Sequence, residues 1–241
     1  MTSRALVVIA LAGCAPQSRA DGLPESPVKL DRPAVVRFHM QTHLDDLRAV
    51  ERYLIDGKLA DAQANAFMLT KPANDPGLEP FRAQADRLVK SAQALVDARS
   101  ITDGCRRLAE VTEACALCHL KTQTASVFPE APPLSPDDGT PSTHLERHKW
   151  AVDRMWEAMI AGTDAPWQDG LGVLATTPLP ASTVGNASSL ATRLQGLAND
   201  AISQHGNQTE TLDSRTAMYG EMLATCAACH SSMHPQAVSR R

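Results

Sequence analysis

Two short stretches constrain this chain more than anything else in it: Cys115-Ala-Leu-Cys118-His119 and Cys226-Ala-Ala-Cys229-His230. C-x-x-C-H is the attachment pattern of c-type haem. Two thiols three positions apart on one helical turn reach the two vinyl groups of a porphyrin and form thioethers. The next residue then brings its imidazole to the iron as the proximal ligand. The chain is therefore expected to carry two covalently bound haem c groups, with His119 and His230 on the irons. A structural zinc site would place its paired knuckles about 15–20 residues apart, and here more than a hundred separate them. A thioredoxin-type redox pair wants its first cysteine at a helix N-terminus, where the dipole lowers the thiol pKa. Both pairs instead lie at the far end of an amphipathic stretch.

Composition fits an all-α chain built around large cofactors. Of its 241 residues 43% are apolar, yet only 4% are aromatic. Small side chains let helices approach closely but fill space poorly, and a haem supplies the flat apolar body that Phe and Trp would otherwise provide. The formal charge of −4 and the absence of a basic run exclude a nucleic-acid partner. Four of the six cysteines belong to the two motifs. Cys105 shares a helical face with Cys115 and reads as a buried structural thiol.

Residues 1–13 have the form of a signal peptide. Arg4 precedes the apolar run Ala5–Ala12, which is far too short for the roughly 20 residues of a membrane span. The run ends in Leu11-Ala-Gly-Cys14, which resembles the lipobox of bacterial lipoproteins. That resemblance implies lipidation of Cys14, a membrane tether and a periplasmic location, and the lack of Asp after Cys14 favours the outer membrane. Residues 14–32 read as a flexible tether.

From residue 33 helical periodicity begins. His39, His43, Leu47, Val50 and Leu54 share one face of the first helix, with Asp45, Arg48, Glu51 and Arg52 largely opposite. Helices are expected from about Leu59 to Leu69, Phe81 to Arg99, and Thr102 to His119, so the haem motif closes the fourth. Residues 33–122 form one expected domain, 123–141 a Pro-rich linker, 142–236 a second domain and 237–241 a tail. The second domain repeats the scheme. Thr143 and Glu146 suggest a capping box, and His144, His148, Val152, Met155 and Met159 line the inner face of the helix that follows. Asp164 opens a short helix, Asn186 caps a third, and the last carries Leu212, Met218 and Met222 into Cys226. His43 to His148 spans 105 positions and Cys115 to Cys226 spans 111, the difference falling in a longer second-to-third loop. The methionines on these stripes read as core.

Four helices with C-x-x-C-H near the end of the fourth resemble the cytochrome c prime (class II cytochrome c) four-helix bundle, here in tandem over about residues 33–121 and 143–235. The resemblance implies that each haem lies near one end of its bundle and that the first helix covers its distal face. The chain departs from that family on the distal side, where an apolar residue is usual. Both first helices carry H-x-x-x-H. His43 and His148, one turn inside the frayed helix start, are the favoured sixth ligands. His39 and His144 are the alternatives, or hydrogen-bond partners of the propionates, and five-coordinate iron stays open. The function expected is one-electron transfer by a membrane-tethered dihaem carrier that meets redox protein partners, with a homodimer compatible. Gas binding (nitric oxide or carbon monoxide) at an open iron is the alternative. A haem subunit of an oxidoreductase or peroxidase is a third, although no acid/base constellation supports catalysis.

Overall fold

A computed structural model describes residues 32–71, 79–123, 128 and 130–233, with side chains from residue 37 onward. Signal peptide, Cys14, tether and C-terminal tail, with His234, lie outside these residues. The described chain is all-α: no strand occurs among the described residues. The helices are α1 (Arg32–Ile55), α2 (Leu59–Ala66), α3 (Arg82–Val96), α4 (Ile101–Thr122), α5 (Pro141–Ala161), α6 (Asp164–Thr176), the single turn α7 (Ala181–Val184), α8 (Ser188–Gly206) and α9 (Leu212–Met233).

Local chemistry sets the ends. α1 stops where Gly57 takes φ +74, and the amides of Gly57 and Lys58 return to the carbonyls of Leu54 and Tyr53; glycine enters this left-handed cap without a Cβ penalty. Ser100 Oγ caps α4 by accepting from the Asp103 amide. α5 begins three residues earlier than the T-x-x-E pattern suggests. Thr140 is its cap, accepting from the Thr143 amide, and Pro141 occupies the first turn. Glu146 instead accepts from Ser135 in the preceding segment. α8 starts at Ser188 with no side-chain cap, and a 3-10 turn over Gly185–Ala187 takes up the expected cap Asn186.

Directions alternate in both halves. Gln63 in the middle of α2 donates to the carbonyls of Val96 at the end of α3 and Ala98 just beyond it, and Gly104 near the start of α4 meets Leu54 near the end of α1. The last turns of α1 and α3 therefore share one end with the first turns of α2 and α4. In the second half Gln195 near the start of α8 donates to Ala175 O at the end of α6. Arg215 near the start of α9 reaches Thr163 O and Asp164 at the start of α6.

α4 and α9, the two helices that carry the motifs, lie against each other, and α9 also packs on α1 while α4 packs on α5. One buried cluster runs through both halves, from Leu47 and Leu54 through Cys105 and Leu108 to Met155, Trp156, Met222 and Cys226. α9 is consequently buried on most sides, from Arg215 to Cys229, as a helix central to a core must be. Closeness comes from small residues. A Cβ on Gly220 would stand 3.1 Å from Arg106 Cα.

Gly170 plays that part between α5 and α6, where a Cβ would lie 2.6 Å from Ala151 O and 2.6 Å from Met155 Cγ. The backbone oxygen cannot step aside, so Gly170→Ala is expected to lose about 2 kcal/mol net. Overpacking of about 3 kcal/mol outweighs the roughly 1 kcal/mol gain in helix propensity. Gly172 in the same helix has nothing within 4 Å of its Cβ position, so Gly172→Ala is expected to gain up to about 1 kcal/mol. Urea unfolding of the pair checks both signs.

Candidate functional site

The two C-x-x-C-H motifs sit at opposite ends of the α4–α9 pair. The helices cross where Gly220 meets Arg106 and Ala109. From that crossing Cys118 and Cys229 each lie about 14 Å along their helix in opposite directions, at 1.5 Å rise per residue.

At the first end, the last turns of α4 carry Cys115, Cys118 and His119. His119 Nδ1 lies 2.9 Å from the carbonyl oxygen of Ile160 on α5. A carbonyl only accepts, so Nδ1 carries the proton and the lone pair sits on Nε2. That is the tautomer an imidazole needs as an iron ligand, fixed by the kind of outer hydrogen bond that orients metal-bound histidines. Burial also pulls the His119 pKa down, partly opposed by the Ile160 bond, which keeps the ring neutral. α1 runs antiparallel to α4 with Leu54 beside Gly104, so His43 and Cys115 lie level, each about 16 Å from that contact. His39 follows one turn further out, and its ring centroid is 4.1 Å from that of His43.

At the second end, the last turns of α9 carry Cys226, Cys229 and His230. His148 on α5 lines a small cleft with Leu174, Thr177, Leu179, Ala191, Leu194 and Gln195 from the end of α6, the following loop and α8. Cys229 packs against Val184 and Ala187, in a cluster that also takes in Leu179 and Ala191. His148 and Cys229 thus share two neighbours across the cleft. Burial, and after it the proximity of His230, drive the His148 pKa down to about 4. His148 is a neutral imidazole close to the other candidate ligand of this end.

His144 is committed elsewhere. Its Nδ1 is 2.9 Å from Pro178 O and its Nε2 is 3.0 Å from Asp137 Oδ1. Both ring nitrogens are used in bracing the 177–179 loop that forms one wall of the cleft, which favours His148 over His144 as the distal candidate.

The cysteines do not have the properties of a redox pair. Burial pushes the Cys115 and Cys226 thiols up to about 12, whereas a reactive dithiol needs a depressed pKa. Cys105, fully buried, is likewise pushed up to about 12, as a structural thiol should be. Met155, Met159 and Met222 are core residues. Trp150 donates to Pro132 O in the linker, and Trp156 is fully buried beneath the Arg48 guanidinium, 4.7 Å from its ring centroid.

Among the described residues no three His, Cys, Asp or Glu side chains converge as a site for a bare metal ion, and no helix is long and apolar enough to cross a membrane. Two thiols on one turn followed directly by a histidine are a donor set that suits a porphyrin better than a free ion, while the cleft beside His148 encloses only about 10 Å³. Sequence reasoning did not anticipate Ile160 O, since a backbone carbonyl leaves no signal in side-chain identity. Comparison with family models, with curated proteins and with solved structures finds no match to this chain.

Proposed function

We propose that this chain is a dihaem cytochrome c that carries single electrons, built as two tandem four-helix bundles of the cytochrome c prime type. The observation that carries the proposal is the second end, where His148 and the motif cysteine Cys229 share the neighbours Leu179 and Ala191. Haem c supplies a ferric/ferrous couple at each end when attached. The chain's own residues do the rest. Cys115 and Cys118, and Cys226 and Cys229, provide the thioether sulfurs. His119 and His230 are the proximal ligands, the first held in its donor tautomer by Ile160 O. His148, and by the same register His43, close the distal faces. Were His148 and His43 to hold the irons together with His230 and His119, a substrate would have no place there, and electron exchange with redox protein partners would be the activity left. Cys14 as a lipid attachment site would hold the carrier on the periplasmic face of the outer membrane.

The test is an absorption spectrum of the mature protein. Low-spin bands that carbon monoxide leaves unchanged are expected at both haems, and prompt carbon monoxide uptake by the native protein would instead favour gas binding. That second function draws its support from the first end, where His39 and His43 pack ring against ring. An uptake confined to one haem would assign gas binding to that end.

A further inference from the structure

Midway between the two motifs lies a buried polar cluster that neither set of ligands requires. Glu51 on α1 is 3% exposed. Tyr219 Oη on α9 donates to its Oε1 at 3.1 Å, and Arg48 Nη1 donates to its Oε2 at 3.1 Å. Arg48 also pairs with Asp153 on α5 at 3.3 Å and lies over the Trp156 ring. One guanidinium therefore serves two carboxylates. The outer pair of Arg154 and Glu157 on α5 flanks the cluster. On α9 Cys226 follows Tyr219 by seven residues, two turns along the same face and about 10 Å at 1.5 Å rise per residue, in the buried core that also holds Cys105 of α4.

We propose that Glu51 is a proton-binding site linked to reduction of the iron held through Cys226, so that electron and proton are taken up together. This rests on the haem c assignment above. When a one-electron donor converts ferric to ferrous iron, positive charge is lost at that end of α9, and Glu51, short of solvent, shares its Arg48 partner with Asp153. Glu51 then takes one proton from water onto a carboxylate oxygen and returns it on reoxidation. No other bond forms or breaks. Burial already raises the Glu51 pKa against the opposing pull of Arg48 and Tyr219. Tyr219, whose pKa burial and Glu51 push well upward, stays a hydrogen-bond donor throughout. The charge removed by the proton is the one Arg48 cannot fully balance while Asp153 is also ionised.

Redox titration of the mature dihaem protein across pH 5–9 tests the proposal. The potential of one haem is expected to fall as pH rises, by up to about 59 mV per tenfold change in proton activity for a one-electron couple, and Glu51→Gln should flatten that slope. Tyr219→Phe removes a donor that favours the ionised carboxylate, so the sloping window should move to higher pH, and this variant decides the matter if Glu51→Gln does not fold. An infrared difference spectrum should gain a protonated-carboxyl band on reduction that Glu51→Gln lacks. Potentials independent of pH in the wild type, a slope retained in Glu51→Gln, or an unmoved window in Tyr219→Phe would each overturn the proposal while two attached haems leave the cofactor assignment standing. Absence of haem from the mature protein is a separate failure, read from its mass, and removes both.

The same carboxyl links folding to pH without any haem. Its folded pKa lies above the value of 4.5 for an ordinary glutamate, so its contribution to stability is whole below that value. It is lost as pH rises through the folded pKa. Urea unfolding should show this decline in the wild type and not in Glu51→Gln.

Discussion

His148→Ala is expected to turn one of the two haems high-spin and open it to carbon monoxide, so that about half of the haem absorbance becomes gas-responsive while the other half keeps its bands. The expectation follows from the position of His148 in the cleft whose walls it shares with Cys229 and from its neutral state, with a pKa driven to about 4. A small side chain leaves the sixth position empty, and the surrounding Leu174, Leu179 and Leu194 offer no replacement ligand. His144→Ala is the control. Its ring nitrogens face Pro178 O and Asp137, so its loss should cost about 1 kcal/mol of stability and leave the spin state of both haems unchanged. His43→Ala should reproduce the His148 result at the other end. Visible spectra of the reduced proteins, with and without carbon monoxide, check all three.

The second large effect concerns attachment itself. Replacing Cys226 and Cys229 together by serine is expected to lower the haem content from two to one per chain and to reduce stability by about 5 kcal/mol or more. Both thiols are buried, and Cys226 belongs to the core that joins the halves. Losing a body as large as a porphyrin from such a place should exceed the ~5 kcal/mol upper range for truncating a single large core side chain. Cys105→Ala separates packing from attachment. Its thiol is fully buried and, like that of Cys226, pushed up to about 12, yet it lies outside the C-x-x-C-H pattern, so about 1 kcal/mol should be lost with both haems retained. Haem quantification on purified protein and urea unfolding give the two readouts.

Much of this was legible in the sequence because the responsible signals are local. Apolar residues at helical spacing located α1 to α4 within a few residues. Periodicity also placed Met155, Met159 and Met222 in the core. Caps were harder where two threonines compete: Thr143 has the better sequence pattern, but Pro141 starts the helix and leaves Thr140 as the cap. The expected loop from Thr176 to Gly185 hides the turn α7, whose Val184 contributes to the cluster around Cys229. The largest departure is Glu51. Periodicity within α1 assigns it to the polar face, and α9, 168 residues downstream at Tyr219, covers that face. No pattern within one helix can report a partner that folding brings from the other half of the chain. The same holds for Ile160 O, whose role depends on where α5 ends relative to His119.

The most direct test of the central claim is an intact mass, together with a haemochrome spectrum, for the chain produced with cytochrome c maturation machinery. The account predicts the mass of the polypeptide plus two covalently attached haems, falling to one haem when either C-x-x-C pair is changed to serine. A mature chain that carries no porphyrin mass, with all four motif cysteines still reactive to a thiol reagent after unfolding, would contradict it.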